Sequence, residues 1–233
     1  MEVSINKPSS YSNVNNPVRT GIIIPTPEER DLQVVKAHLT TFDSFIKRTF
    51  DLFIIGVALI VFLIPMLLIA IAIKLTSRGP IFYGQVRVGL DSRQFTMWKF
   101  RSMKLNSEQH GAVWAIKNDP RRTKFGAFLR SSSLDELPQI WNVIKGEMSV
   151  VGPRPERPIF VEEFRKEIPH YDWRHQMKGG ITGWAQVCGW RGNTSIEERV
   201  KYDLYYIKSW SLKFDIKILL LTFFRGFVNK NAY

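Results

Sequence analysis

From Leu52 to Ile73 the chain runs for 22 positions without a charged residue. At about 1.5 Å per residue, a helix of that length matches the hydrocarbon core of a bilayer. Two features argue against a plain crossing. Pro65 lies near the middle, where it removes a backbone hydrogen bond and bends a helix. Lys47 and Arg48 precede the run while Lys74 and Arg78 follow it, so the positive-inside tendency suits both ends on the cytoplasmic side. We therefore expect residues 44–78 to form a re-entrant helix–break–helix membrane hairpin with Pro65 as the break. A single bent crossing is the alternative, since proline also occurs in spanning helices; a buried core helix suits so long an apolar run less well.

This segment divides the chain. Residues 1–43 are polar and interrupted by Pro8, Pro17, Pro25 and Pro27, and are expected to be a flexible tail. Only Gly21–Ile24 is apolar, and the layout of a signal peptide is not found. Residues 79–233 should form the folded body. Ile81–Tyr83 and Phe95–Phe100 read as strands joined through Gly89–Arg93. Residues 156–168 and 196–209 read as helices, and Gly179–Val187 as a glycine-rich turn entering a short strand. That turn lacks both the P-loop and the dinucleotide-binding spacing. From Trp210 to Val228, Lys213, Asp215, Lys217 and Arg225 interrupt an apolar helix. Such a helix suits the membrane interface, with packing on the protein's own core an equal alternative. The fold class is thus α/β, mostly helical with a small sheet, attached to a membrane segment.

Charge narrows the partners. Lys and Arg number 33 against 21 Asp and Glu, a formal net charge of +12, which calls for an anionic partner. Between Lys74 and Arg130 there are twelve basic residues and three acids. Arg87, Lys99, Arg101, Arg121, Arg122 and Arg130 are the candidates there for phosphate or for anionic membrane lipids. Cys188 is the only cysteine, which excludes an internal disulfide and a multi-cysteine metal site and fits a reducing compartment.

The densest chemistry lies between Ser131 and Pro155. Asp135 and Glu136 are adjacent carboxylates where a helix should begin, with Pro138 in its first turn, apolar residues at helical spacing and Gly146 as its stop. The segment ends in Pro153-Arg154-Pro155, a rigid turn presenting one guanidinium, and Arg130 precedes Asp135 by five residues. Arginine matches phosphate oxygens bidentately. The bland alternative is that Ser133-x-x-Glu136 is a capping box and Asp135 a surface acid complementing the helix dipole.

Lys47-Arg48-x-Phe50-Asp51, Gly79-Pro80-Ile81-Phe82, Gln85-x-Arg87-x-Gly89, Lys99-Phe100-Arg101-Ser102-Met103, Leu134-Asp135-Glu136-Leu137-Pro138-Gln139, Val151-Gly152-Pro153-Arg154-Pro155 and Ile181-Thr182-Gly183-Trp184-Ala185-Gln186 occur in that order. In this the chain, from Lys47 to Tyr233, resembles the bacterial sugar transferases, the monotopic phosphoglycosyl transferases that load a sugar phosphate onto a polyprenyl phosphate. Gly189-Trp190-Arg191-Gly192 and Asn229–Tyr233 look most like the subgroup acting on glucose. The chain departs from the pattern at Ile64-Pro65, where many relatives have Ser-Pro, at Gly179-Gly180 and at Cys188. Larger members carry further N-terminal membrane helices and a further domain, so this chain is expected to be a minimal or truncated form.

The resemblance implies a cytoplasmic catalytic domain over 79–233 on the bacterial inner membrane. It transfers hexose-1-phosphate, glucose before galactose, from a UDP-hexose to undecaprenyl phosphate at the start of exopolysaccharide synthesis. Asp135 is carried over as the nucleophile that becomes covalently phosphorylated and Glu136 as the Mg²⁺ ligand. Arg130, Arg154, Arg101, Lys99 and Arg87, with Pro153 and Pro155 shaping the turn, are carried over as the phosphate- and nucleotide-binding set. Self-association into a homo-oligomer is left open. The competing reading is a basic membrane-surface scaffold without catalysis. A nucleic-acid partner is not expected, because no nucleic-acid motif is present.

Overall fold

The computed structural model describes residues 39–108 and 119–226. The expected tail over 1–38, the Gly21–Ile24 segment and the Asn229–Tyr233 motif lie outside them. Helix α1 (Thr41–Thr76) opens the described fold. It begins inside the expected tail because Thr40 and Asp43 form a capping box: Asp43 N–H donates to Thr40 Oγ1 and Thr40 N–H to Asp43 Oδ2, both at 3.1 Å.

Secondary structure runs unbroken through Pro65, so the expected division into two helices is not seen. A proline deletes one backbone hydrogen bond and bends a helix, and the flanking apolar residues keep the rest of the ladder. Ile60 and Ile64 in the middle are 84% and 69% exposed, whereas Ile55, Ile69 and Ile73 toward the two ends are buried. Both ends of α1 therefore dock on the same folded body, each buried isoleucine contributing about 1.5–3 kcal/mol.

The charges before the apolar run are not free flanking charges. Lys47 Nζ reaches Asp215 Oδ2 at 2.7 Å and Val151 O at 3.0 Å. Asp51 accepts from Ser149 Oγ at 2.8 Å and from Val150 N–H at 3.1 Å. Arg48 donates to the carbonyls of Val143 and Ile144. Buried charge is tolerated only with such partners.

Strands β1 (Phe82–Val88) and β2 (Gln94–Phe100) form an antiparallel hairpin with Tyr83 opposite Lys99 and Arg87 opposite Phe95. Alternation puts Tyr83, Gln85, Arg87 and Lys99 on one face. Helices α2 (Lys124–Ser131) and α3 (Gln139–Lys145) follow, then β3 (Ser149–Val151), α4 (Pro158–Glu167), β4 (Gly180–Thr182), α5 (Trp184–Val187), α6 (Ile196–Lys208) and α7 (Leu212–Gly226). The strand expected to run on to Val187 stops at Thr182, and Trp184–Val187 is a helical turn instead.

Strands β3 and β4 are parallel, with Ser149 opposite Gly180 and Val151 opposite Thr182. Around this pair Met148, Val151, Trp184, Tyr206 and Ile218 form the main core. A second cluster joins Ile69 and Ile73 of α1 to Phe100 and Leu129. Helix α7 docks on the protein's own core through buried Ile218, the alternative reading of this segment, and leaves Ile216, Leu220, Phe223 and Phe224 exposed as an apolar stripe.

Candidate active site

Asp135 and Glu136 do not open helix α3. They lie on a separate 3₁₀ turn, Leu134–Glu136, and Pro138 is the N-cap of α3 without a side-chain bond. Ser133 adopts a left-handed conformation, φ 58°, and its side chain makes no cap bond. The capping-box reading is therefore overturned, since a capping residue sits in the extended region. Freed from the helix end, both carboxylates line a cavity of about 580 Å³.

Among the described residues, ten basic side chains and four acids line this cavity, a balance that concentrates anions. Glu136 is held on both oxygens. Lys99 Nζ lies 2.8 Å from Oε1, and Arg154 grips the carboxylate as a fork, NH1 donating to Oε2 at 3.1 Å and NH2 to Oε1. Burial pushes the Glu136 carboxyl upward, but Arg154 and then Lys99 outweigh it and hold it well below the ordinary range. Burial lowers the pKa of Lys99, with Glu136 opposing.

Asp135 is the contrasting neighbour. It is buried, and its carboxylate makes no hydrogen bond among the described residues. Burial raises its pKa to about 6; Lys99, Arg130 and Arg154 pull it down and Glu136 pushes it up. The result is a desolvated carboxylate, more basic than usual yet largely ionised at neutral pH, which is what a nucleophile needs.

The candidate binding residues separate by role. Arg130, in the last turn of α2, and Arg154, Lys99 and Arg87 line the cavity. Arg87 is also committed to the wall: NH1 donates to Pro155 O at 2.9 Å and to Glu156 Oε2 at 3.1 Å, and burial pushes its pKa down to about 10. Arg101 lines the cavity too, but its donors go to Arg78 O at 2.8 Å and to Ser77 O at 3.0 Å. It thereby satisfies carbonyls just beyond the end of α1. Pro153 and Pro155 hold the turn: Pro153 O accepts from Gly180 N–H at 2.9 Å, and a Cβ on Gly179 would lie 2.3 Å from Pro155 Cγ.

Sequence reasoning missed Glu156, Arg199, Arg157, Glu108 and the site role of Arg191, all of which line the cavity. Glu156 bridges Arg87 and Arg199, and Glu108 pairs with Arg157 at 2.8 Å. The one available signal was Glu156 following Pro155 directly; its partner Arg199 is 43 positions away.

For a divalent ion the donor set is narrow. No cluster of three or more His, Cys, Asp or Glu occurs among the described residues, and Glu136 already holds two cations. Mg²⁺ is commonly bound through one or two carboxylates together with substrate phosphates. A single carboxylate such as Glu136 fits a cation shared with a bound diphosphate, and the described residues do not fit a cage made by protein alone.

Comparison with known proteins identifies the family. A family model described as bacterial sugar transferase matches residues 42–229. The chain is 48% identical over 199 residues to a UDP-glucose:undecaprenyl-phosphate glucose-1-phosphate transferase of Klebsiella pneumoniae, covering 84% of this chain and 43% of that protein. It is 39% identical to a protein of that name from Caulobacter vibrioides, covering 80% and 72%. It is 46% identical to a UDP-N-acetylgalactosamine-undecaprenyl-phosphate N-acetylgalactosaminephosphotransferase of Aeromonas hydrophila, covering 77% and 43%. The chain thus spans about two fifths of the length of the first of these relatives.

Proposed function

Since the chain belongs to the bacterial sugar transferase family, we propose that its cavity transfers a hexose-1-phosphate from a UDP-hexose to undecaprenyl phosphate. The observation carrying this reading is Asp135: among the described residues, a buried carboxylate without a hydrogen bond, beside a clamped Glu136, in a cavity lined by ten cations. A scaffold needs no such group. Glucose is the first choice of sugar, because relatives named for it include the 48% identical protein; galactose is the second.

In the reaction an oxygen of Asp135 attacks the β-phosphorus of the UDP-hexose. The bond from that phosphorus to the bridging oxygen breaks, and UMP leaves with the oxygen. A phosphosugar remains on the carboxylate. An oxygen of undecaprenyl phosphate then attacks the same phosphorus, forming the lipid diphosphate sugar and restoring the Asp135 carboxylate. Lys99, Arg130 and Arg154 face the phosphates and offset their charge, the main requirement of phosphoryl transfer. The substrate phosphates compete with Glu136 for Arg154 and Lys99, so substrate entry loosens the clamp seen in the free site. Glu136 would hold Mg²⁺, which screens phosphate charge that otherwise repels the attacking Asp135 carboxylate.

Membrane placement follows from α1, long and apolar enough to cross a bilayer. Its two ends dock on one body while its middle is exposed around Pro65. This supports a segment that enters and leaves by the same, cytoplasmic face of the inner membrane, bent at Pro65, with the exposed stripe of α7 at the headgroups. The test is UMP release from a panel of UDP-sugars with a short polyprenyl phosphate. Release with UDP-glucose, lost in excess EDTA and in Asp135→Asn, supports the reading; release by Asp135→Asn at the wild-type rate overturns it.

A further inference from the structure

The polar base of α1 grips the strand that delivers Arg154. Among the described residues, strand β3 pairs with β4 on one edge only. Its other edge is taken by α1 side chains: Asp51 accepts the Val150 N–H at 3.1 Å and the Ser149 hydroxyl at 2.8 Å, and Lys47 donates to Val151 O at 3.0 Å. Lys47 and Asp51 are 6% and 3% exposed. Lys47 is fixed in turn by Asp215 of α7 at 2.7 Å, and Tyr206 of α6 donates to the same Val151 carbonyl at 3.2 Å.

The turn that follows has little slack. A Cβ on Gly152 would lie 2.3 Å from Lys178 O. Gly152 N–H donates to Thr182 O at 2.9 Å, and the Arg154 carbonyl accepts from Arg174 at 2.9 Å. Arg154, three residues beyond the carbonyl that Lys47 holds, then closes on Glu136. The first turns of α1 are thus tied to β3, and Arg154 follows β3 by three residues.

We propose that Lys47 and Asp51 are positioning residues: through β3 they set where Arg154 meets Glu136, so the seat of the membrane helix fixes the geometry of the cavity. This rests on the reading of Arg154 as a phosphate-holding group. A displacement of about 1 Å in such a group can cost on the order of 100-fold in rate. A merely structural role would act through the amount of folded protein instead.

The test pairs two variants of the full chain in membranes. Lys47→Met with Asp215→Leu exchanges a buried ion pair for apolar side chains, a change often neutral for stability, and removes the hold of α1 on Val151 while Tyr206 keeps its own bond to that carbonyl. Asp51→Asn weakens the hold on Ser149 and Val150 without changing shape. We expect near-wild-type melting and membrane association, a fall in kcat for UMP release of about 100-fold per folded molecule, and faster amide hydrogen exchange confined to residues 149–156. Activity that tracks the folded fraction, or exchange that quickens evenly across α4 and α6, would overturn the proposal. The exchange arm needs no turnover. A wild-type chain that released no UMP would sink the proposed function, and the exchange pattern would still decide this one.

Discussion

Two carboxylates of this protein each sit between two cations. Glu156 lies between Arg199 at 2.9 Å and Arg87 at 3.1 Å. Nearby, Arg174 reaches Asp203 at 2.6 Å and Tyr171 at 2.7 Å. Burial raises the Glu156 pKa, but Arg199 and then Arg87 outweigh it and lower the group. Glu136 lies between Lys99 and Arg154 in the same manner. The difference is the next residue. Beside Glu156 stand a proline and an arginine, whereas beside Glu136 stands Asp135, desolvated and lacking any hydrogen bond among the described residues. The first cluster has the form of a scaffold, in which each carboxylate is paired with an arginine. The second keeps one carboxylate unspent at the edge of a cationic cavity, and that asymmetry is what the proposed chemistry uses.

The sharpest way to break the comparison is Asp135→Asn. If Asp135 is the covalent nucleophile, UMP release should fall by roughly 10⁴-fold or more, as losses of nucleophiles do. The same variant should melt higher, by on the order of 1–2 kcal/mol, since it removes a charge that burial disfavours. A buried acid with no part in catalysis would show the second effect without the first. Glu136→Gln should cost about 10²–10³-fold in kcat, the range for losing one preorganised electrostatic partner. Steady-state rates at saturating UDP-glucose measure it.

Glu156→Gln should behave in the opposite sense. Breaking a buried ion pair from one side costs about 3–5 kcal/mol of stability, to be read in the melting transition, with activity per folded molecule falling far less. Equal losses of turnover at Glu136 and Glu156 would erase the distinction between the clusters.

The smallest effect is with pH. The nucleophile must be ionised, so kcat/KM should fall as pH drops through about 6. Stability runs the other way for this group. Its folded pKa lies above its unfolded value, so the fold binds the proton more tightly, and Asp135 costs stability as pH rises from about 4 to about 6. Glu136 and Glu156, with lowered values, stabilise the fold above the ordinary glutamate range and lose that contribution on acidification below it. In Asp135→Asn the stability loss between pH 4 and 6 should disappear.

How far the sequence revealed this depends on the reach of each interaction. The hairpin β1–β2, the helices near 156–168 and 196–209 and the stop at Gly146 follow from local spacing, and they are present. Asp135, Glu136, Arg130 and Arg154 were legible because they crowd into 25 residues of chain. Ser133-x-x-Glu136 misled, because the same pattern that caps a helix also fits a left-handed turn whose glutamate faces away to Lys99 and Arg154. Arg101 looked like its cationic neighbours until its donors met the carbonyls beyond α1. Lys47 and Arg48 read as flanking charges, yet their partners stand at Val143, Val151 and Asp215, about a hundred or more residues on. No local rule reaches that distance. Pro65 was visible, but whether a proline bends or ends a helix depends on what packs around it.

The most direct measurement is intact-mass and peptide mapping of the purified chain incubated with UDP-glucose and Mg²⁺ in the absence of any lipid acceptor. The account predicts a hexose-phosphate adduct on the peptide containing Asp135, formed together with UMP and discharged when polyprenyl phosphate is added. An unmodified protein that releases UMP only when the acceptor is present, or an adduct on another residue, would contradict it.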